Sequence, residues 1–131
     1  MRWGLKWLLI FLAVTLHADP FPAMTIMQDV HREFDYVKSP GDLKLPSETR
    51  ADGEGDCADL SLVMIERMEA VGMSGAVISF WDHWHLGSHS VVEFKGRLYD
   101  PANDIIWDPG PGWAYRTHRS YANALWMAAE E

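Results

Sequence analysis

Cysteine is nearly missing from this chain of 131 residues: Cys57 is the only one. A lone thiol excludes an intramolecular disulfide, so the fold must rest on its apolar core. Basic residues are scarce as well. Eleven Lys and Arg stand against nineteen Asp and Glu, a formal net charge of −8. Phosphate groups and anionic lipid surfaces are held by clustered Lys and Arg. No basic stripe is present, so nucleic acid and anionic membranes are not expected partners. Internal repeats and low-complexity tracts are absent, and the length suits one domain. Long hydrophobic runs are absent too. The longest, residues 7–16, is about half of the ~20 residues a bilayer-spanning helix needs.

What that short run does fit is a secretory signal peptide. Arg2 and Lys6 precede it, and Ala18 stands before the polar pair Asp19-Pro20, the basic, apolar and small-residue order of such leaders. The expectation is a signal peptide over residues 1–18 and a single domain over 19–131, exported to the periplasm or secreted, and off the membrane after cleavage. Removing Arg2 and Lys6 would take the formal charge from −8 to −10. Nothing in the sequence sets an oligomeric state.

Apolar spacing predicts an amphipathic helix over 24–37, with Ile26, Met27, Val30, Phe34 and Val37 on one side. Lys38-Ser39-Pro40-Gly41-Asp42 breaks it, and 43–55 reads as a polar loop. A second helix is expected over 56–71, with Asp56 as its N-cap and Gly72 after its end. Leu60, Leu62, Met64, Ile65, Met68 and Val71 make it apolar through most of its girth, as the central helix of a domain would be. Residues 76–81, 89–94 and 97–100 read as strands, the last two joined by Lys95-Gly96. An irregular loop and a short helix over 117–129 complete an α+β pattern.

The hairpin carries a geometric deduction. A two-residue turn at Lys95-Gly96 pairs Phe94 with Arg97, Val92 with Tyr99 and Val91 with Asp100. His89 then lies on the same face as Asp100, diagonally adjacent at ~7–8 Å, which a carboxylate-to-imidazole hydrogen bond spans. An imidazole held by a carboxylate is half of a nucleophilic site. The other half is available in Cys57, at the first turn of the central helix, where free N–H groups and the dipole favour a thiolate. Its own backbone N–H can serve one oxyanion. For a second donor the candidates are Gln28 and His31 on the upstream helix.

The stretch GDCAD opening a helix, followed by SHSVVEFKGRLYDPAN, resembles the transglutaminase-like superfamily, and within it the bacterial transglutaminase-like cysteine peptidases, a branch of the papain-like fold. The resemblance covers residues ~50–104. It implies a papain-like/transglutaminase-like core, a central helix packed on a small antiparallel sheet, and a peptidase or amidase working through a thioester. Carried over by position, Cys57 is the nucleophile, His89 the base and Asp100 the orienting acid, with a peptide or protein as substrate. Peptidases of this branch also carry a calcium site that uses the residues on either side of the cysteine. Asp56 matches it and Ala58 does not, so no cofactor is expected.

Other readings stay open at this point. The chain could be a catalytically silent module of the same fold, or a protein-crosslinking acyl transferase with an amine as acceptor. Asp82, His83, His85 and His89 could ligate zinc, but no second ligand cluster accompanies them. Trp81, Trp84 and Trp107 are candidates for a substrate groove.

Overall fold

The computed structural model describes residues 21–38 and 42–130; the expected signal peptide lies outside them. Helix α1 is Phe21–Glu33 and is followed by the two-residue strand β1, Asp35–Tyr36. Helix α2, Pro46–Asp52, leads through strand β2, Glu54–Gly55, into α3, Cys57–Ala70. Strands β3 (Val77–His83), β4 (Gly87–Phe94), β5 (Arg97–Asp100), β6 (Ile105–Ile106) and β7 (Trp113–Ser120) follow, and α4, Tyr121–Glu130, closes the order. The last five strands form one antiparallel sheet in the order β6-β5-β4-β3-β7.

The core lies between α3 and this sheet. Leu60, Leu62, Val63, Met64, Ile65 and Met68 of α3 are buried against Ile78, Val92, Phe94 and Tyr99. The last four share one face of the sheet, as the pairing of Ile78 with Val92 and of Val92 with Tyr99 requires. Ala23, Met27 and Val30 bring the buried face of α1 into the same cluster. The far end of α1 is tied to α3 by Arg67, which bonds Glu33 and lies 5.6 Å from the centre of the Phe34 ring. Burial of this order, at roughly 25 cal/mol per Å² of apolar surface, is what a disulfide-free domain relies on.

Several boundaries depart from the periodicity. The first helix begins at Phe21 and stops at Glu33, because Asp35 and Tyr36 peel away to pair in parallel with Glu54 and Gly55. The expected loop over 43–55 holds α2, a single short helix with Pro46 in its first turn and Gly53 in the left-handed region at φ +71°. Residues 117–120 are strand rather than helix, since they pair with residues 77–80 of β3. Ser120 Oγ then accepts the Asn123 N–H at 3.2 Å, which starts α4 at Tyr121.

The hairpin forms in the register its turn dictates: Phe94 opposite Arg97, Glu93 opposite Leu98, Val92 opposite Tyr99. Lys95 and Gly96 both have positive φ, 48° and 77°, the requirement of a type I′ turn whose twist matches its strands. A lysine there is strained, and the glycine beside it is the residue that makes the turn accessible.

Candidate active site

The start of α3 is built by the segment before it. Asp56 caps the helix: its carboxylate accepts the Asp59 N–H at 2.9 Å, and Asp59 Oδ2 accepts the Asp56 N–H at 3.1 Å. The reciprocal pair satisfies two donors that a helix start leaves open. Asp59 is buried, and its other oxygen accepts the Lys44 N–H at 2.9 Å. Gly55 is required by close approach: a Cβ there would stand 2.7 Å from Asp59 Cβ. The motif therefore places Cys57 at the first position of a rigidly capped helix.

His89 faces Cys57 across the site. Its Nε2–H donates to Asp100 Oδ2 at 2.6 Å, which leaves Nδ1 for the sulfur, and the Cys57 side chain is within hydrogen-bonding reach of the ring. Asp100 is fully buried and held from three further directions. The N–H groups of Ala102 and Asn103 reach Oδ1 at 3.1 and 3.2 Å, and Asn103 Nδ2 reaches Oδ2 at 2.8 Å. So many donors satisfy a buried carboxylate and fix its direction.

Burial opposes a charge on His89, but the hydrogen bonds and charges of Asp100 and Cys57 outweigh it and raise the ring from its ordinary 6.5 to about 9. Asp56 is also displaced. Burial first, and the adjoining Asp59 carboxylate with it, push Asp56 from 3.8 to about 6.

Beside this group lies a cleft of about 250 Å³. His89, Trp107 and Trp113 stand in its wall, and Tyr36, Lys38 and Asn103 also line it. Trp107 and Trp113 meet edge to face at 5.1 Å and lie 5.7 and 6.0 Å from the His89 ring. Trp81 packs edge to face on Trp107 at 5.2 Å and on Tyr115 at 5.5 Å, and its Nε1–H donates to Ser79 Oγ.

The structure thus brings Cys57, His89 and Asp100 together and treats the secondary candidates differently. Gln28 is half-buried on α1 and, like Trp81 and Trp84, is not in the cleft lining. Trp84 is 76% exposed at the tip of the β3–β4 hairpin, stacked on His85. His31 uses Nδ1–H on the Pro101 carbonyl at 3.1 Å, which ties α1 to the loop after Asp100. Trp113, Tyr36 and Asn103 are cleft residues that sequence reasoning missed. Asn103 alone carried a local signal, three residues past the aspartate in DPAN.

The zinc reading does not match the ring positions. His83 Nδ1 accepts the N–H groups of His85 and Leu86, and His89 is committed to Asp100. Among the described residues, no three His, Cys, Asp or Glu side chains are grouped to hold a metal ion.

No protein-family model and no curated protein matches the chain. Solved structures similar to it include those of Legionella pneumophila LapG, at 21% identity. One LapG structure superposes with a TM-score of 0.63 over 76% of this chain and 66% of that one. The calcium-bound form gives 0.63 over 81% and 68%. The EGTA-treated form gives 0.62 over 71% and 59%, so this chain spans about six-tenths of that structure's length. The likeness is one of fold. The chain has the transglutaminase-like α+β fold, a central helix packed on an antiparallel five-stranded sheet.

Calcium accompanies one of these structures; beside Cys57 the carboxylates are those of Asp56 and Asp59. Hard cations take six or more oxygen ligands. Both Asp59 oxygens already accept backbone N–H groups, Asp56 is the helix cap, and Ala58 offers no oxygen in its side chain. The nearby cation is the protein's own: Lys44 Nζ lies 3.1 Å from Asp52 Oδ2 and 2.9 Å from the Glu54 carbonyl.

Proposed function

We propose that this protein is an exported cysteine hydrolase, a peptidase or amidase that works by thioester acyl transfer. The observation that carries this reading is the His89 ring, held by Asp100 at 2.6 Å with Cys57 on its other side. In the proposed reaction Cys57 Sγ attacks the acyl carbon and the carbonyl π electrons move to oxygen. The tetrahedral intermediate then collapses, the C–N bond breaks, and protonated His89 delivers its proton to the leaving amine. Water, deprotonated by His89, repeats the sequence on the thioester and releases the acid. Asp100 holds the imidazole in one tautomer throughout. The aromatic wall of Trp107 and Trp113 limits water around the acyl group.

Export follows from the leader-like first 18 residues. Among the described residues no helix is long and apolar enough to cross a membrane. Mass spectrometry of protein recovered from the producing cell is expected to show cleavage after Ala18.

The enzyme reading is tested by alkylation with iodoacetamide. At pH ~6.5 Cys57 is expected to react on the order of tenfold faster than in His89→Ala. Equal slow rates in both proteins would instead describe a silent module. With His89 raised to about 9, acyl-transfer activity should hold to that pH and fall above it; an alkaline limb near 6.5 would contradict the assigned pair.

A further inference from the structure

A thioester mechanism needs two donors at the developing oxyanion, and the Cys57 N–H supplies only one. The structure assigns the second to the phenolic O–H of Tyr36, an inference that rests on the reading of Cys57 as nucleophile.

Tyr36 is placed by backbone pairing with the segment that carries the nucleophile. β1 and β2 run parallel, Tyr36 is in register with Gly55, and the Val37 N–H donates to the Gly55 carbonyl at 3.0 Å. Two residues past Gly55 is Cys57. The backbone that carries the phenol is therefore tied to the segment that starts α3, which sets where a donor on it can stand. Tyr36 lines the cleft together with His89, Trp107 and Trp113, and it is half exposed, at 50%. A substrate carbonyl entering the cleft would meet it.

Other polar groups near the site are occupied, less well held or, like the indole N–H groups of Trp107 and Trp113, carried on segments that do not pair with β2. Asn103 Nδ2 serves Asp100, and His31 Nδ1 serves Pro101. Lys38 shares the cleft wall but follows the end of β1. Chemistry also favours Tyr36. Partial burial, then the negative charge of Cys57, Asp56 and Asp100, raise its phenol above the ordinary 10, so it keeps its proton wherever the enzyme works.

The step balances simply. Sγ forms a bond to the acyl carbon and the π pair moves to oxygen, where the O–H of Tyr36 and the N–H of Cys57 hydrogen-bond the negative charge. No proton leaves Tyr36. When the pair returns, the bond to the leaving group breaks and His89 protonates that group where it needs a proton.

Two reagents separate this role from others. p-Nitrophenyl acetate acylates a thiol through an oxyanion, and iodoacetamide alkylates it without one. Tyr36→Phe is expected to slow acylation of Cys57 by about tenfold or more while alkylation stays within about twofold. Acylation unchanged, or both rates falling together, overturns the assignment. Wild-type Cys57 acylated no faster than a free thiol would overturn the underlying nucleophile reading, and is distinguished by that comparison alone. Thermal melting of Tyr36→Phe close to wild type is expected, since the half-exposed ring is retained; the acylation-to-alkylation ratio reads the role independently of any change in folded fraction.

Discussion

Asp56 shows how one residue serves two conflicting demands. As N-cap it accepts the Asp59 N–H and starts the helix that carries Cys57. As a partly buried carboxylate beside a second one, it is held at about 6 instead of 3.8. A raised carboxylate pKa means that the folded state binds the proton more tightly than the unfolded chain. Stability from this group is therefore present below about 3.8 and is lost as pH rises through 6. Asp56→Asn keeps a capping oxygen and removes the charge. It is expected to melt higher than wild type at pH 7.5, with the two curves converging near pH 4. A lower melting temperature at every pH would show that the charge itself stabilises the helix start. Cys57, His89 and Asp100 were legible as residues because their types, order and parity were local properties. Trp113 and Tyr36 were not, because what brings them to the cleft is the path of the chain between distant elements.

Among the elements, the short segment from α2 to the start of α3 decides the precision of the site. Its two glycines act differently. Gly53 ends α2 in the left-handed region with open space around its Cα, whereas Gly55 has φ in the ordinary range and no room for a Cβ. Gly55→Ala must displace Asp59 or Thr49, whose Cγ2 would lie 3.2 Å from the new methyl. Overpacking of this kind costs about 1–3 kcal/mol, and chemical denaturation should read it; a variant as stable as wild type would mean that the capping box yields without loss. α2 escaped sequence reading because seven residues with Pro at the start carry little helical periodicity, and buried Pro46 and Thr49 hold it in place. β7 escaped for a related reason. WAYRTHRS is an exposed edge strand with a register shift opposite Phe80 and Trp81, so it shows no inward–outward alternation. Its bulge and its Arg116, His118 and Arg119 are features that discourage edge-to-edge pairing.

At the scale of the molecule, two displaced groups act in the same direction. His89, raised from 6.5 to about 9, contributes stability that is complete below 6.5 and lost as pH rises through 9. Asp56 has lost its contribution by pH 6, and the formal charge of −8 adds self-repulsion in neutral solution. The melting temperature should fall steadily from pH 6 to 9.5, and the fall should flatten in His89→Gln. A melting temperature that is flat or rising over that range in wild type would contradict the His89 geometry. Residue order alone was sufficient for the α+β class, the central helix, the hairpin register and the placing of His89 on one face with Asp100. Helix periodicity, strand alternation and a two-residue turn act over a few positions, and a chain read in one dimension displays them. The tertiary structure decided that α1 ends early to form β1, that β7 joins the sheet, and that Tyr36, Trp107 and Trp113 line one cleft with His89. Those outcomes depend on which distant surfaces bury one another, a competition settled only when the whole core closes.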